Sequence, residues 1–79
     1  MKNTMKALAR AIEICGGQHA LARAVNKRIS APTNPIKQQN VWHWLNKSYF
    51  VPSEYCVAIE GATGDEVTRE QLRPDVFPQ

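Results

Sequence analysis

The stretch IKQQNVWHWLNK, Ile36 to Lys47, gathers side chains that can read the edge of a nucleic-acid base. Gln38, Gln39 and Asn40 stand in a row. A carboxamide offers one donor and one acceptor at the spacing of the adenine N6/N7 edge, so it can pair with that edge in a major groove. In a helix interior such residues bring no apolar surface. A solvated first helical turn is therefore the plain reading, and base recognition the chemical one. Lys37 and Lys47 bracket the run. Trp42 and Trp44 cannot both face a core, because residues two apart point to different sides of a helix. Val41, Trp44 and Leu45 make the inward side, which leaves Gln38, Gln39, Trp42 and His43 around the outside.

Two other chemistries draw on the same residues. Cys15, His19, His43 and Cys56 include metal-binding atoms, but none falls in the short paired spacing of structural zinc sites. Cys15 lies on an apolar helical stripe with no oxyanion-type loop beside it, which argues against a thiol nucleophile. The two cysteines have no disulfide-framework spacing and read as buried free thiols. The expectation is a protein without catalytic residues, metal or cofactor.

The charge distribution favours a polyanionic partner. The chain has 79 residues and a formal net charge of +3. Residues 1–50 hold eight lysines and arginines against Glu13 alone, a net of +7, whereas residues 51–79 hold two against six acids, a net of −4. Such a split suggests that the first part meets a polyanion and the second does not. One domain over 1–79 is expected, with no room for a second core. No apolar run approaches the roughly 20 residues that span a bilayer, and no export signal is visible. A cytoplasmic protein, with no membrane partner, is the corresponding expectation.

The elements that must position these residues read as helices. Met5, Leu8, Ala9, Ile12 and Cys15 recur at helical spacing over Thr4 to Cys15, and Gly16-Gly17 stops that helix. Gln18 to Val25 makes a second, short helix with Leu21, Ala22 and Val25 on one face, and Asn26 suits its end. Lys27 to Pro35, KRISAPTNP, reads as a loop. Asn34 and Pro35 then suit the N-cap and first position of a third helix running to about Asn46. A second loop, NKSYFVP, leads to a fourth helix over Pro52 to Ala62, with Tyr55, Cys56, Ile59 and Ala62 on one face. Thr68-x-x-Gln71 has the form of a capping box and opens a last turn. Val67, Leu72, Val76 and Phe77 are expected to cover the open end of the core. No segment alternates with period two. The fold class is all-α, four to five short helices around a central helix-turn-helix, in which Ala22 allows the close approach of the two motif helices.

GGQHALARAV, QQNVWHWL and VPSEYCVAIEGATGDEVTREQLRPDVF together resemble the Cro-like, YdaS-type group of phage and prophage regulators, from about Ile12 to Phe77. The resemblance implies a lambda-repressor/Cro-like DNA-binding domain that represses transcription, and some members of the group are antitoxin-like. It implies that Gln18 holds a phosphate and that Ala22 is the small contact residue. It places Lys37, Gln38, Gln39, Trp42 and His43 toward the groove, with Val41 and Trp44 buried. The usual motif turn has three or four residues, so Lys27 to Pro35 reads as an insertion.

The resulting expectation is a repressor that occupies operator DNA as a homodimer, on half-sites about one helical turn apart. The base contacts would come from Lys37, Gln38, Gln39, Trp42 and His43. Gln18, Arg23, Lys27, Arg28 and Lys47 would contact phosphates, with Lys27 and Arg28 reaching out from the loop. The alternative is an antitoxin-like module that binds a toxin partner as well as DNA.

Overall fold

A computed structural model describes residues 3–29 and 35–77. Its helices are α1 Asn3–Cys15, α2 Gln18–Arg28, α3 Gln38–His43, α4 Ser53–Ala62 and α5 Arg69–Leu72, with α3 continuing into one π-helical turn over Trp44–Ser48. Among the described residues there is no strand. The chain is an all-α protein whose α2 and α3 form a helix-turn-helix.

Helix α2 is central because it packs against α1, α3 and α4, while α5 closes the structure against α1 and α4. Leu21, Ala22 and Val25 supply its buried face, with Ala22 3% exposed where α2 meets its neighbours. Leu8, Val41, Trp44, Val51, Ile59 and Leu72 complete the centre of the core. On α1 the fully buried positions are Met5, Leu8 and Ala11, while Ala9 and Ile12 are half-buried. The expected stripe is therefore rotated by a fraction of a turn, since α2 and α5 both cover this helix.

The Gly16-Gly17 stop forms as expected. The Gly16 and Gly17 N–H groups both donate to the Ile12 carbonyl, at 3.0 and 2.8 Å. Gly17 has φ 129°, ψ 173° and directly precedes α2, a backbone conformation open to essentially glycine alone.

The motif helices begin and end elsewhere than the local signals suggest. Helix α2 runs through Asn26 to Arg28, so Lys27 and Arg28 are helical and the link to α3 is residues 29–37. Basic residues in a last turn suit the helix dipole. Asn26 does not end the helix. Its carboxamide clamps the backbone of Ile36, with Nδ2 donating to the carbonyl at 2.8 Å and Oδ1 accepting the N–H at 3.0 Å. Pro35 to Lys37 are not helical, so α3 starts at Gln38 rather than at Pro35. Asn34, the expected cap, lies outside the described residues, as does most of the expected loop. Asn40 holds the start of α3 instead: its Oδ1 accepts the Lys37 N–H at 2.8 Å.

At the C-terminal end, the capping box forms as expected. Thr68 accepts the Gln71 N–H at 3.3 Å and the Gln71 side chain accepts the Thr68 N–H at 3.2 Å. Val67 and Leu72 are buried and Phe77 packs on the core, but Val76 is 44% exposed and does not cover it. Arg73 ties this end to the α3–α4 link. It donates to the Val51 carbonyl at 3.0 Å, pairs with both carboxylate oxygens of Asp75 and lies over the Phe50 ring.

Glu60 on α4 accepts the Arg69 N–H at 2.9 Å and the Arg69 guanidinium at 3.0 Å, which fastens α5 by its first turn. The backbone bond, followed by the side-chain bond, holds the Glu60 carboxyl below its usual value. A depressed carboxylate contributes stability above its unfolded pKa and loses it as pH falls through the folded one. Glu60→Gln is therefore expected to be less stable than the parent at neutral pH. The gap should narrow as pH falls below the reference value of 4.5. Urea midpoints at pH 7 and pH 3 check this, and a gap of equal size at both would show that the charge contributes nothing.

Candidate nucleic-acid interface

The two motif helices bring their N-terminal amides together. Gln18 opens α2, Gln38 opens α3, and Gln38 Nε2 donates to Gln18 Oε1. This contact uses one of the two Nε2 hydrogens of Gln38 and leaves its Oε1 open. The pair that meets an adenine edge, one donor and one acceptor, therefore remains available on Gln38. The Nε2 hydrogens of Gln18 also remain, and a phosphate oxygen is a matching acceptor.

Around this pair the outer side of α3 is open. Lys37, Gln39, Trp42 and His43 are exposed, and Gln38, bonded to Gln18, is half-exposed. Trp42 keeps 44% of its surface while Trp44 keeps 5%. The spacing argument thus separates the two indoles correctly. Trp44 packs on Tyr55 of α4 with ring centroids 5.4 Å apart. Lys47 Nζ stands 5.9 Å from the centroid of the Trp42 ring. Asn40 is not free to read a base as its neighbours are, since its Oδ1 holds the Lys37 N–H.

The remaining expected phosphate contacts do not join this group. Arg23 and Lys27 are exposed one turn apart on α2. On a regular helix they lie roughly 140–180° around the axis from Gln18, away from the side that meets α3. Arg28 lies against α4, where its guanidinium passes so close to Gly61 that a Cβ at that position would come within 2.8 Å of Nη1.

The charges sort in the same way. Among the described residues both ion pairs, Arg69–Glu60 and Arg73–Asp75, belong to the second half of the chain. The arginines of that half are already neutralised, whereas Lys37 and Lys47 at the two ends of the α3 segment are held by no carboxylate among the described residues.

Cys15 is a half-buried free thiol and Cys56 a buried one. Burial pushes the Cys56 thiol up to about 11, so it stays protonated near neutrality, donating toward the Val51 and Pro52 carbonyls. Cys15, His19, His43 and Cys56 do not converge: among the described residues no three His, Cys, Asp or Glu side chains come close enough to hold a metal ion. No helix among these residues is long and apolar enough to cross a membrane.

Three positioning residues were not visible as such in the sequence. They are Asn26, which fixes where the link returns, Asn40, which orders the first turn of α3, and Asn46, whose Nδ2 donates to the Trp42 carbonyl at 3.0 Å. Asparagine signals a turn or a cap equally well, and only the partners, ten residues away in the case of Asn26, distinguish these uses.

A family model described as "Bacterial toxin YdaS" matches residues 8–79. A relative from Escherichia coli strain K12, named "Putative transcriptional regulator YdaS", is 37% identical over 76 residues, which cover 96% of this chain and 68% of the relative. No solved structure gives a significant match.

Proposed function

This chain belongs to the YdaS family, and on that premise we propose that it is a sequence-specific DNA-binding regulator of transcription, a Cro-type repressor that places α3 in the major groove of operator DNA. The observation that carries this reading is the Gln18–Gln38 pair at the joined N-termini of the helix-turn-helix. It gives one amide for a base edge and one for the adjoining phosphate, on the half of the chain in which no lysine or arginine among the described residues forms an ion pair. Gln39, Trp42 and His43 extend the base-reading side, and Lys37, first expected at a base, instead joins Lys47 in anchoring phosphates at its two ends. Arg23, Lys27 and Arg28 stand outside this contact set. The protein works by binding, as a homodimer on an inverted repeat, and carries out no catalytic step.

Selection of duplexes from a random pool tests the proposal, with enrichment of one short inverted repeat as the expected result. On the enriched duplex, affinity should fall steeply as salt rises, because phosphate contacts release counterions. Lys47→Gln is expected to lower the log–log salt slope by about one unit. Arg28→Gln should leave it unchanged. The reverse pattern would place the duplex against α4 instead of α3.

A second reading follows the description of the family as a toxin, together with the apolar side chains Tyr49, Phe50 and Val57 that stay exposed at the α3–α4 link and on α4. In it the chain also engages a protein partner through that surface. An apolar protein interface lacks the steep salt dependence of a phosphate contact, so a protein partner that stays bound at salt concentrations that release the duplex would support this second reading.

A further inference from the structure

The segment that carries the amides does not end as an α-helix. After His43 the chain makes one turn, Trp44–Ser48, in the wider π geometry, where hydrogen bonds run between residues five apart. On an α-helix, residues five apart lie roughly 140° around the axis and do not meet. Here Trp42 and Lys47, five apart, do meet, with the ammonium over the indole at 5.9 Å. A polar side chain holds the start of the turn: Asn46 Nδ2 donates to the Trp42 carbonyl at 3.0 Å. The Ser48 hydroxyl lies at its end, 3.3 Å from the Phe50 carbonyl and 3.5 Å from that of His43. Tyr49 closes it at φ 57°, the left-handed region where glycine is the usual residue. Trp42, Asn46 and Lys47 are all exposed, so their arrangement does not serve the core.

We propose that the π-turn joins Trp42 and Lys47 into a single DNA-contacting unit and that Asn46 is the residue that positions it. The inference rests on the DNA-binding reading above. The indole supports the lysine stem and directs the ammonium to a phosphate at the end of the half-site, while its own edge meets the last base pair read by α3. A free lysine has four rotatable bonds to order when it meets a phosphate, whereas one already resting on a ring has fewer states to lose. Closure of the DNA over the pair also removes water, and a cation–π contact strengthens when it is desolvated. The unit depends on the turn: with regular α geometry Lys47 would leave the ring.

Two measurements test this. In the free protein, NMR should show the Lys47 ε-methylene protons shifted upfield by the indole ring current, with the shift lost in Trp42→Ala and in Asn46→Ala. On the selected duplex, a cycle of Trp42→Ala, Lys47→Gln and the double variant should show coupling. Lys47→Gln is expected to weaken binding at least about threefold more in the parent than in the Trp42→Ala background, the scale of a partly desolvated cation–π contact. Lys47→Arg should retain the coupling. Asn46→Ala should lower the effect of Lys47→Gln in the same way while its thermal midpoint stays near the parent's. If the ring-current shift is absent in the parent, or the two losses simply multiply, this proposal falls while the DNA-binding reading stands. If the parent binds no duplex selectively, both fall.

Discussion

Trp44→Ala is expected to be the most damaging substitution on the α3 segment, at about 3–5 kcal/mol, the usual cost of deleting a buried aromatic side chain. A domain of this size has a total stability on the order of 5–10 kcal/mol, so the variant should melt on the order of 15 °C or more below the parent. Trp44 is 5% exposed and stacks at a tilt on Tyr55, joining the π-turn to α4. Its loss would both open a cavity and release the C-terminal end of the recognition segment. Trp42→Ala, two residues earlier and 44% exposed, should cost less than about 1 kcal/mol. Thermal and urea unfolding of the two variants check the assignment of one indole to the core and the other to the interface. Equal destabilisation by both would contradict it.

The second large effect is expected at Gln38. Gln38→Ala removes the donor and acceptor presented to the base and leaves Gln18 without its partner. On the selected duplex it should weaken binding by about 1–3 kcal/mol, the range of a good bidentate base contact. Gln18→Ala should weaken all sequences alike, because a phosphate carries no sequence information. The two residues hydrogen-bond to each other, so their losses should not add: the double variant is expected to be weaker than either single variant by less than the sum, as contacting residues commonly behave. Strict additivity would mean that the pair seen in the free protein is broken on DNA.

Much of the fold follows from local chemistry. The Gly16-Gly17 stop, the ends of α4 and the Thr68–Gln71 capping box depend on residues a few positions apart, and each forms as its sequence signal suggests. The separation of Trp42 from Trp44 follows from helical spacing alone. What the sequence hides is the set of contacts made at a distance. Asn26 and Pro35 both look like boundary residues. Asn26 instead stays inside α2 because its amide satisfies the Ile36 backbone across the link, and α3 starts later because Asn40 organises its first turn. The π-turn is hidden for a similar reason, since Asn46, Ser48 and the left-handed Tyr49 carry no pattern that distinguishes it from an ordinary helix end. At the interface, residue types pointed to Gln38, Gln39 and Trp42, but only the packing shows that Gln18 meets Gln38 and that Arg28 lies on α4.

The most direct test of the account is the affinity of the parent and of a Gln38→Ala/Gln39→Ala variant for two duplexes at one salt concentration, the enriched repeat and a shuffled version of the same composition. The parent should prefer the repeat strongly. The variant should lose most of that preference, while its binding to the shuffled duplex changes little, because the amides read bases and the lysines hold phosphates. A parent with no preference, or a variant that weakens equally on both duplexes, would contradict the claim that the amide end of α3 reads DNA sequence.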